Sequence, residues 1–136
     1  MIVEEMQETP THFHRSKMED IINRGGGNLV IELFNSDNEE NISGDTVSVK
    51  IDGILRTVAS GGKVSLTPGE SICLEQGVYH RFYGEQGKGK VLVGEVSAVN
   101  DDTSDNRFLE VVGRFPEVDE DEKPLYLLVS DYEKYL

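Results

Sequence analysis

Cysteine is nearly missing from this chain. Cys73 stands alone among 136 residues, so no disulfide can form within the chain and no thiolate cluster can bind a metal. A chain without cystines fits a reducing compartment, and the cytoplasm is the expected location. Long apolar runs are also absent. No stretch approaches the roughly 18 consecutive apolar residues of a membrane span, and the opening Met1-Ile2-Val3-Glu4-Glu5-Met6 has neither the basic region nor the apolar segment of a secretory signal. A soluble protein with no membrane partner is expected. Basic residues are scarce, 13 against 26 acids, for a formal net charge of -13. That field repels phosphate backbones, and no Lys/Arg cluster interleaved with aromatics offsets it, so nucleic acid is excluded as a partner. There is no amphipathic helix of useful length, no internal repeat and no boundary that would divide the chain. Residues 1–136 are expected to form a single domain able to bury one core.

What is present is short strands separated by glycine and proline turns. Met1 to Gln7 alternates loosely and ends before Thr9-Pro10, where proline imposes extended geometry on its predecessor. Gly25-Gly26-Gly27 permits a turn, and Leu29 to Phe34 follows as a strand with Leu29, Ile31 and Leu33 on one face. Thr46 to Ile51 alternates strictly, and Asp52-Gly53 is the strongest hairpin signal in the chain, with the return over Ile54 to Val58. Further strands are predicted at Val64 to Leu66, Ser71 to Gln76, His80 to Tyr83, Lys90 to Val99, Phe108 to Val112 and Leu125 to Val129, with a single helical turn in the tail. This pattern indicates an all-β sandwich or barrel. Gly84, Gly89 and Lys90 mimic part of a phosphate loop, but Val91 replaces the required Ser or Thr and the stretch joins two strands instead of a strand and a helix.

The chemistry is concentrated in His12-Phe13-His14-Arg15-Ser16-Lys17-Met18-Glu19. In a strand alternate side chains share a face, so His12 and His14 point the same way. The four residues between His14 and Glu19 suffice for a reversal that returns a carboxylate beside the two rings. The chain has only three histidines. The third, His80, would ordinarily be a surface or core residue, but beside the pair it becomes the fourth candidate ligand. Imidazole and carboxylate donors suit manganese, iron, cobalt or zinc.

These residues resemble the two metal-binding motifs of the cupin superfamily. His12, His14, Glu19 and Gly26 fall on the first, and Gly69, Gly77 and His80 on the second. Met6 stands at the leading glycine of the first motif, Glu75 at the proline of the second and Gly84 at its asparagine. Within the superfamily the chain is similar to the D-lyxose isomerase family. The resemblance is carried by the run from His12 to Gly27, by Gly94-Glu95-Val96-Ser97-Ala98-Val99-Asn100-Asp101-Asp102, by Asp105-Asn106-Arg107-Phe108 and by Gly113-Arg114-Phe115-Pro116. Family members usually carry several dozen residues before the histidine pair. Eleven precede His12 here, so this domain is expected to lack that N-terminal region.

The resemblance implies a cupin double-stranded β-helix, or jelly-roll barrel, and a divalent ion, manganese first, held by His12, His14, Glu19 and His80. It implies a monosaccharide substrate, with D-lyxose converted to D-xylulose and D-mannose to D-fructose through a metal-bound enediolate, and pairing into a homodimer through sheet edges. Such an ion polarises a carbonyl as a Lewis acid, and a nearby base moves the proton between the two carbons. Glu95 is the candidate base. It shares a strand face with Val91, Val93 and Ser97, and if that face lines the barrel a buried carboxylate calls for a functional reason. Lys17 is placed to bind a sugar oxygen or neutralise the enediolate, and Asp105 with Arg107 to form a rim that holds the distal hydroxyls. The structural alternatives are an exposed strand-edge charge for Lys17 and a surface ion pair for Asp105 and Arg107. Two other functions use the same ligands: a cupin dioxygenase, which would consume oxygen, and a non-catalytic sugar-binding or sensor cupin.

Overall fold

Alternation of apolar and polar residues decides which face of each strand is buried, and the computed structural model shows the result for residues 1–101, 104–110, 121–127 and 132–135. The strands are β1 (Ile2–Val3), β2 (His12–His14), β3 (Glu19–Gly26), β4 (Leu29–Asn35), β5 (Val47–Ile51) and β6 (Ile54–Val58). They continue with β7 (Gly62–Leu66), β8 (Ser71–Leu74), β9 (Val78–Gly84), β10 (Val91–Ser97) and β11 (Asn106–Phe108), and the expected helical turn is α1 (Tyr132–Tyr135). Among the described residues no helix is long and apolar enough to cross a membrane.

The strands form two antiparallel sheets, one in the order β1-β10-β3-β8-β5-β6 and the other β11-β2-β9-β4-β7. This arrangement is compatible with a cupin jelly roll. It is two facing sheets and not the closed barrel of the strictest expectation. Leu29, Ile31 and Leu33 of β4 have no exposed surface, and they meet Val47, Val49, Ile72, Leu74, Val91 and Val93 from the opposite sheet. Each such side chain stabilises the fold by about 1.5–3 kcal/mol relative to exposure.

Two turns explain how the strands reverse. At the hairpin between β5 and β6, Asp52 and Gly53 have φ of 48° and 78°, the two positive values of a type I′ turn, whose twist matches the flanking strands. The Gly25-Gly26-Gly27 turn is instead braced from inside. Asn23 is fully buried and donates its amide to the carbonyls of Gly27 and Leu66 at 2.9 Å each, while its Oδ1 accepts the Gly25 N–H at 3.0 Å. A buried amide with both ends satisfied costs little and fixes the turn.

At the far end of the chain the structure departs from the predicted strands. The strand expected over residues 108–112 is instead Asn106–Phe108, and Val111 and Val112 lie outside the described residues. Leu125 to Leu127 form no strand, with Leu125 and Tyr126 exposed; Leu128 and Val129 lie outside the described residues.

The two turns predict different costs. Gly53 has a positive φ but open space around it, whereas a Cβ on Gly26, at φ 94°, would run into the Lys90 carbonyl. Gly53→Ala is expected to lose about 1 kcal/mol and Gly26→Ala clearly more, as read from urea midpoints. Equal losses would show that the Gly26 backbone can move away from β10.

Candidate metal centre

β2 and β9 lie side by side, with His12 directly opposite His80, and alternation along β2 places His14 on the same face as His12. One ligand nitrogen from each of the three imidazoles lies within 4.8 Å of the other two. Each ring is held from behind. Nδ1 of His12 is 2.8 Å from the Pro10 carbonyl, and Nδ1 of His80 is 3.0 Å from the Val78 carbonyl. A carbonyl only accepts, so both Nδ1 atoms carry the hydrogen and both Nε2 atoms keep a lone pair. Nδ1 of His14 faces Oδ2 of Asp105 at 3.5 Å. Asp105 is itself buried, and its Oδ1 accepts from the Ser16 N–H at 2.7 Å and the Ser16 hydroxyl at 2.5 Å. A carboxylate thus stands behind the His14 ring, as Glu19 stands before it.

The opposite sheet supplies Glu19 at the start of β3. Its Oε1 is 3.0 Å from Nε2 of His80 and 3.5 Å from Nε2 of His14. Both of those nitrogens are buried with no hydrogen-bond partner among the described residues. Ring nitrogens of His14 and His80 and the Glu19 carboxylate thus converge on one buried point, where polar atoms without partners are costly and a cation would satisfy them. The donor set is that of a borderline divalent ion, and the three-histidine cluster can hold one.

The charges support that reading. Burial, then the neighbouring His80, push His12 down to about 4, so it is neutral near pH 7 as a ligand must be. Burial alone would raise the Glu19 pKa, but the close His14 and His80 rings and the Lys17 ammonium outweigh it and hold the group well below the usual carboxylate range. Lys17 is buried, with Nζ 2.8 Å from Glu19 Oε2 and 2.8 Å from Glu95 Oε1. Burial works against its charge, and the two carboxylates more than compensate, raising its pKa. A buried ammonium is stable only with such partners.

These side chains open into a pocket of about 330 Å³ that also includes Glu95, Asn106 and Phe108. A second cleft of about 390 Å³ runs past Thr11, Arg81 and Leu109. There the Arg81 guanidinium is already paired with Glu8 and Glu32 at 2.6 Å each, and no imidazole is present. The convergent imidazoles and carboxylates lie in the histidine pocket.

The sequence profile of the D-lyxose isomerase family matches residues 1–132. The chain belongs to the D-lyxose isomerase family. It is 52% identical over 132 residues to a D-lyxose/D-mannose isomerase of Serratia proteamaculans, an alignment covering 97% of this chain and 58% of that protein. It is 50% identical over 135 residues to a D-lyxose/D-mannose isomerase of Escherichia coli O157:H7, covering 99% of this chain and 60% of that one. The chain therefore spans about three fifths of the length of these relatives.

In this member of the family the six residues named for metal and proton chemistry, His12, His14, Lys17, Glu19, His80 and Glu95, line one pocket. Lys17 is buried and not an exposed strand-edge charge. Glu95 differs from the expectation of a buried carboxylate. Val91 and Val93 on its strand face are covered, but the Glu95 side chain is 44% exposed, because β10 runs past the core to the pocket mouth. Asp105 and Arg107 are not among the pocket residues. Asp105 lies behind His14, and Arg107 turns to Glu40 and to the carbonyl of Phe108. The reason is register. Asn106 pairs with His14, and Phe108 with His12, so these two share the face of the histidines and the odd-numbered residues face away. Sequence reasoning passed over Asn106 and Phe108. Both lie in a run that carries the family resemblance, but which of its residues face the site depends on alternation along a strand whose partner was unknown.

Behind the site, Arg15 donates Nε and Nη2 to Glu40 at 2.8 and 2.9 Å, and Arg107 donates Nε at 3.2 Å. The Arg15 hydrogen bonds hold the Glu40 carboxyl below its ordinary value near 4.5. A depressed carboxylate contributes stability that is present above the ordinary pKa and lost as pH falls through the folded value. Glu40→Gln is therefore expected to be less stable than the parent at pH 7, with the two converging in acid below that window; a gap that persists in acid would assign the effect to packing. At the metal side, Asp105→Asn is expected to weaken manganese binding by about ten- to a hundred-fold. Competition with a chelating dye would measure this, with the melting temperature of the metal-free protein as control.

Proposed function

We propose that this chain is the metal-binding domain of an aldose-ketose isomerase that interconverts D-lyxose with D-xylulose and D-mannose with D-fructose. The observation that carries the reading is the convergence of three oriented imidazoles and Glu19 beside a buried lysine that bridges to a second carboxylate. The printed activities of the relatives from Serratia proteamaculans and Escherichia coli O157:H7 agree with it. His12, His14, Glu19 and His80 would hold the ion, manganese being the proposed one. When bound, a divalent ion would supply Lewis acidity toward the sugar carbonyl.

The residues of the chain account for the proton movements. Glu95 takes the hydrogen from the carbon next to the aldehyde, leaving an enediolate, and returns it to the former aldehyde carbon. The proton of the second hydroxyl passes to the first oxygen, so atoms balance between aldose and ketose. The partial exposure of Glu95 in the pocket lining supports this role. Lys17 remains charged through the cycle. It lies 2.8 Å from Glu95, where it orients the carboxylate and offsets negative charge developing on the sugar oxygens. General base catalysis of this kind is worth about a hundred- to ten-thousand-fold.

The domain is proposed to work in the cytoplasm, which suits the unpaired Cys73, and as a homodimer joined through sheet edges. Ketose formation from D-lyxose and D-mannose would be measured on metal-stripped protein, before and after manganese is restored. Turnover is expected only with the metal, without oxygen uptake, and Glu95→Gln should lower kcat at least a hundred-fold with manganese still bound. Full turnover by Glu95→Gln would remove Glu95 from the base role. No ketose from the manganese-loaded parent would overturn the isomerase reading for this chain.

A further inference from the structure

β11 brings a second kind of group into the pocket. Asn106 stands opposite His14 in the ladder, and directly opposed residues on one face have Cβ atoms about 4.5–5.5 Å apart. The amide is thus fixed beside the proposed metal ligand while lining the same pocket. Its Oδ1 is buried and has no hydrogen-bond partner among the described residues. A buried amide oxygen without a donor is costly, and neighbouring groups do not relieve it. The Lys17 ammonium is taken by Glu19 and Glu95, and the His12 and His80 N–H groups point to backbone carbonyls behind the rings. Two residues along the strand, Phe108 covers the His12 ring at a centroid distance of 5.5 Å and supplies no donor.

We propose that Asn106 is a specificity-determining residue whose Oδ1 accepts a hydrogen bond from one hydroxyl of the bound monosaccharide. The inference rests on the isomerase reading above and deepens it. Polyols are rich in donors, and a site with a waiting acceptor discriminates against an analogue that lacks the matching hydroxyl, because the acceptor is then left unpaired. Asn106 is neutral, so it reads a hydroxyl without adding charge beside Glu19 and Glu95. It is the even-numbered face of β11, Asn106 with Phe108, that meets the sugar.

The test compares the full chain with Asn106→Leu, which keeps the volume and removes the acceptor, and Asn106→Asp, which keeps an acceptor. All three are loaded with manganese. Asn106→Leu is expected to raise KM for D-lyxose about three- to ten-fold, the range of one neutral hydrogen bond, with unchanged manganese affinity and partial recovery in Asn106→Asp. Across a series of monodeoxy sugars, one hydroxyl should matter to the parent and no longer matter to Asn106→Leu, the signature of a direct pair in a double-mutant cycle. Equal loss for every sugar, or no loss, would overturn the inference. Calorimetric binding of an unreactive five-carbon alditol separates it from the parent reading. If the parent chain makes no ketose, the isomerase reading fails, while weaker alditol binding by Asn106→Leu would still support the Asn106 contact. Absence of alditol binding by the parent, or equal binding by both, would overturn it.

Discussion

The ion pair between Lys17 and Glu19 is the constraint around which this fold is arranged. Lys17 lies in the connection between β2 and β3, which crosses from one sheet to the other, and Glu19 opens β3. Both are buried. Each would be costly there without the other, and neither can be satisfied unless the sheets sit at the separation that brings Glu19 against His14 and His80. The apolar core of β4, β5, β8 and β10 sets that separation by packing. The ion pair then turns one end of a hydrophobic sandwich into a place where acceptors gather. The residues that are least comfortable in the interior are therefore the ones that gather at this end.

Much of this was legible in the sequence, because short-range rules govern it. The two-residue period of a strand put His12 and His14 on one face, Asp52-Gly53 demanded a hairpin, and alternation marked Leu29, Ile31 and Leu33 as core. The motif spacing located Glu19 and His80. What remained hidden depended on which strand lies beside which. Lys17 looked as much like a surface charge as a buried one, since its partners Glu19 and Glu95 lie on β3 and β10, which the sequence does not show to be neighbours. Asp105 and Arg107 carried more charge than Asn106 and so drew attention, yet the pairing of β11 with β2 turns them away from the pocket. Glu95 was placed on the correct face, but its exposure depends on where the covering strands end, and composition does not say.

The outer side of the histidine sheet is organised as well. Phe13 packs edge-on against Tyr79 at a centroid distance of 4.7 Å, and the Tyr79 hydroxyl donates to the Glu40 carbonyl at 2.7 Å. With Arg15 and Arg107 closing on the Glu40 carboxylate, the loop before β5 is fastened over the back of β2, β9 and β11. The histidines are thus supported from the side that no substrate reaches. Preorganisation of this kind is what separates a usable metal site from a chance gathering of ligands.

The strand order has a consequence for assembly. β2 finds its partners in β9 and β11, drawn from the middle and the far part of the chain, so the three imidazoles meet only after long loops have closed. Such non-local pairing makes folding slow, and it leaves the cation without a complete site in the unfolded ensemble or in an early nucleus. An ion that binds a site formed after the folding barrier slows departure from the native state and leaves the rate of arrival unchanged. A cation held by this cluster would act as a latch closed last.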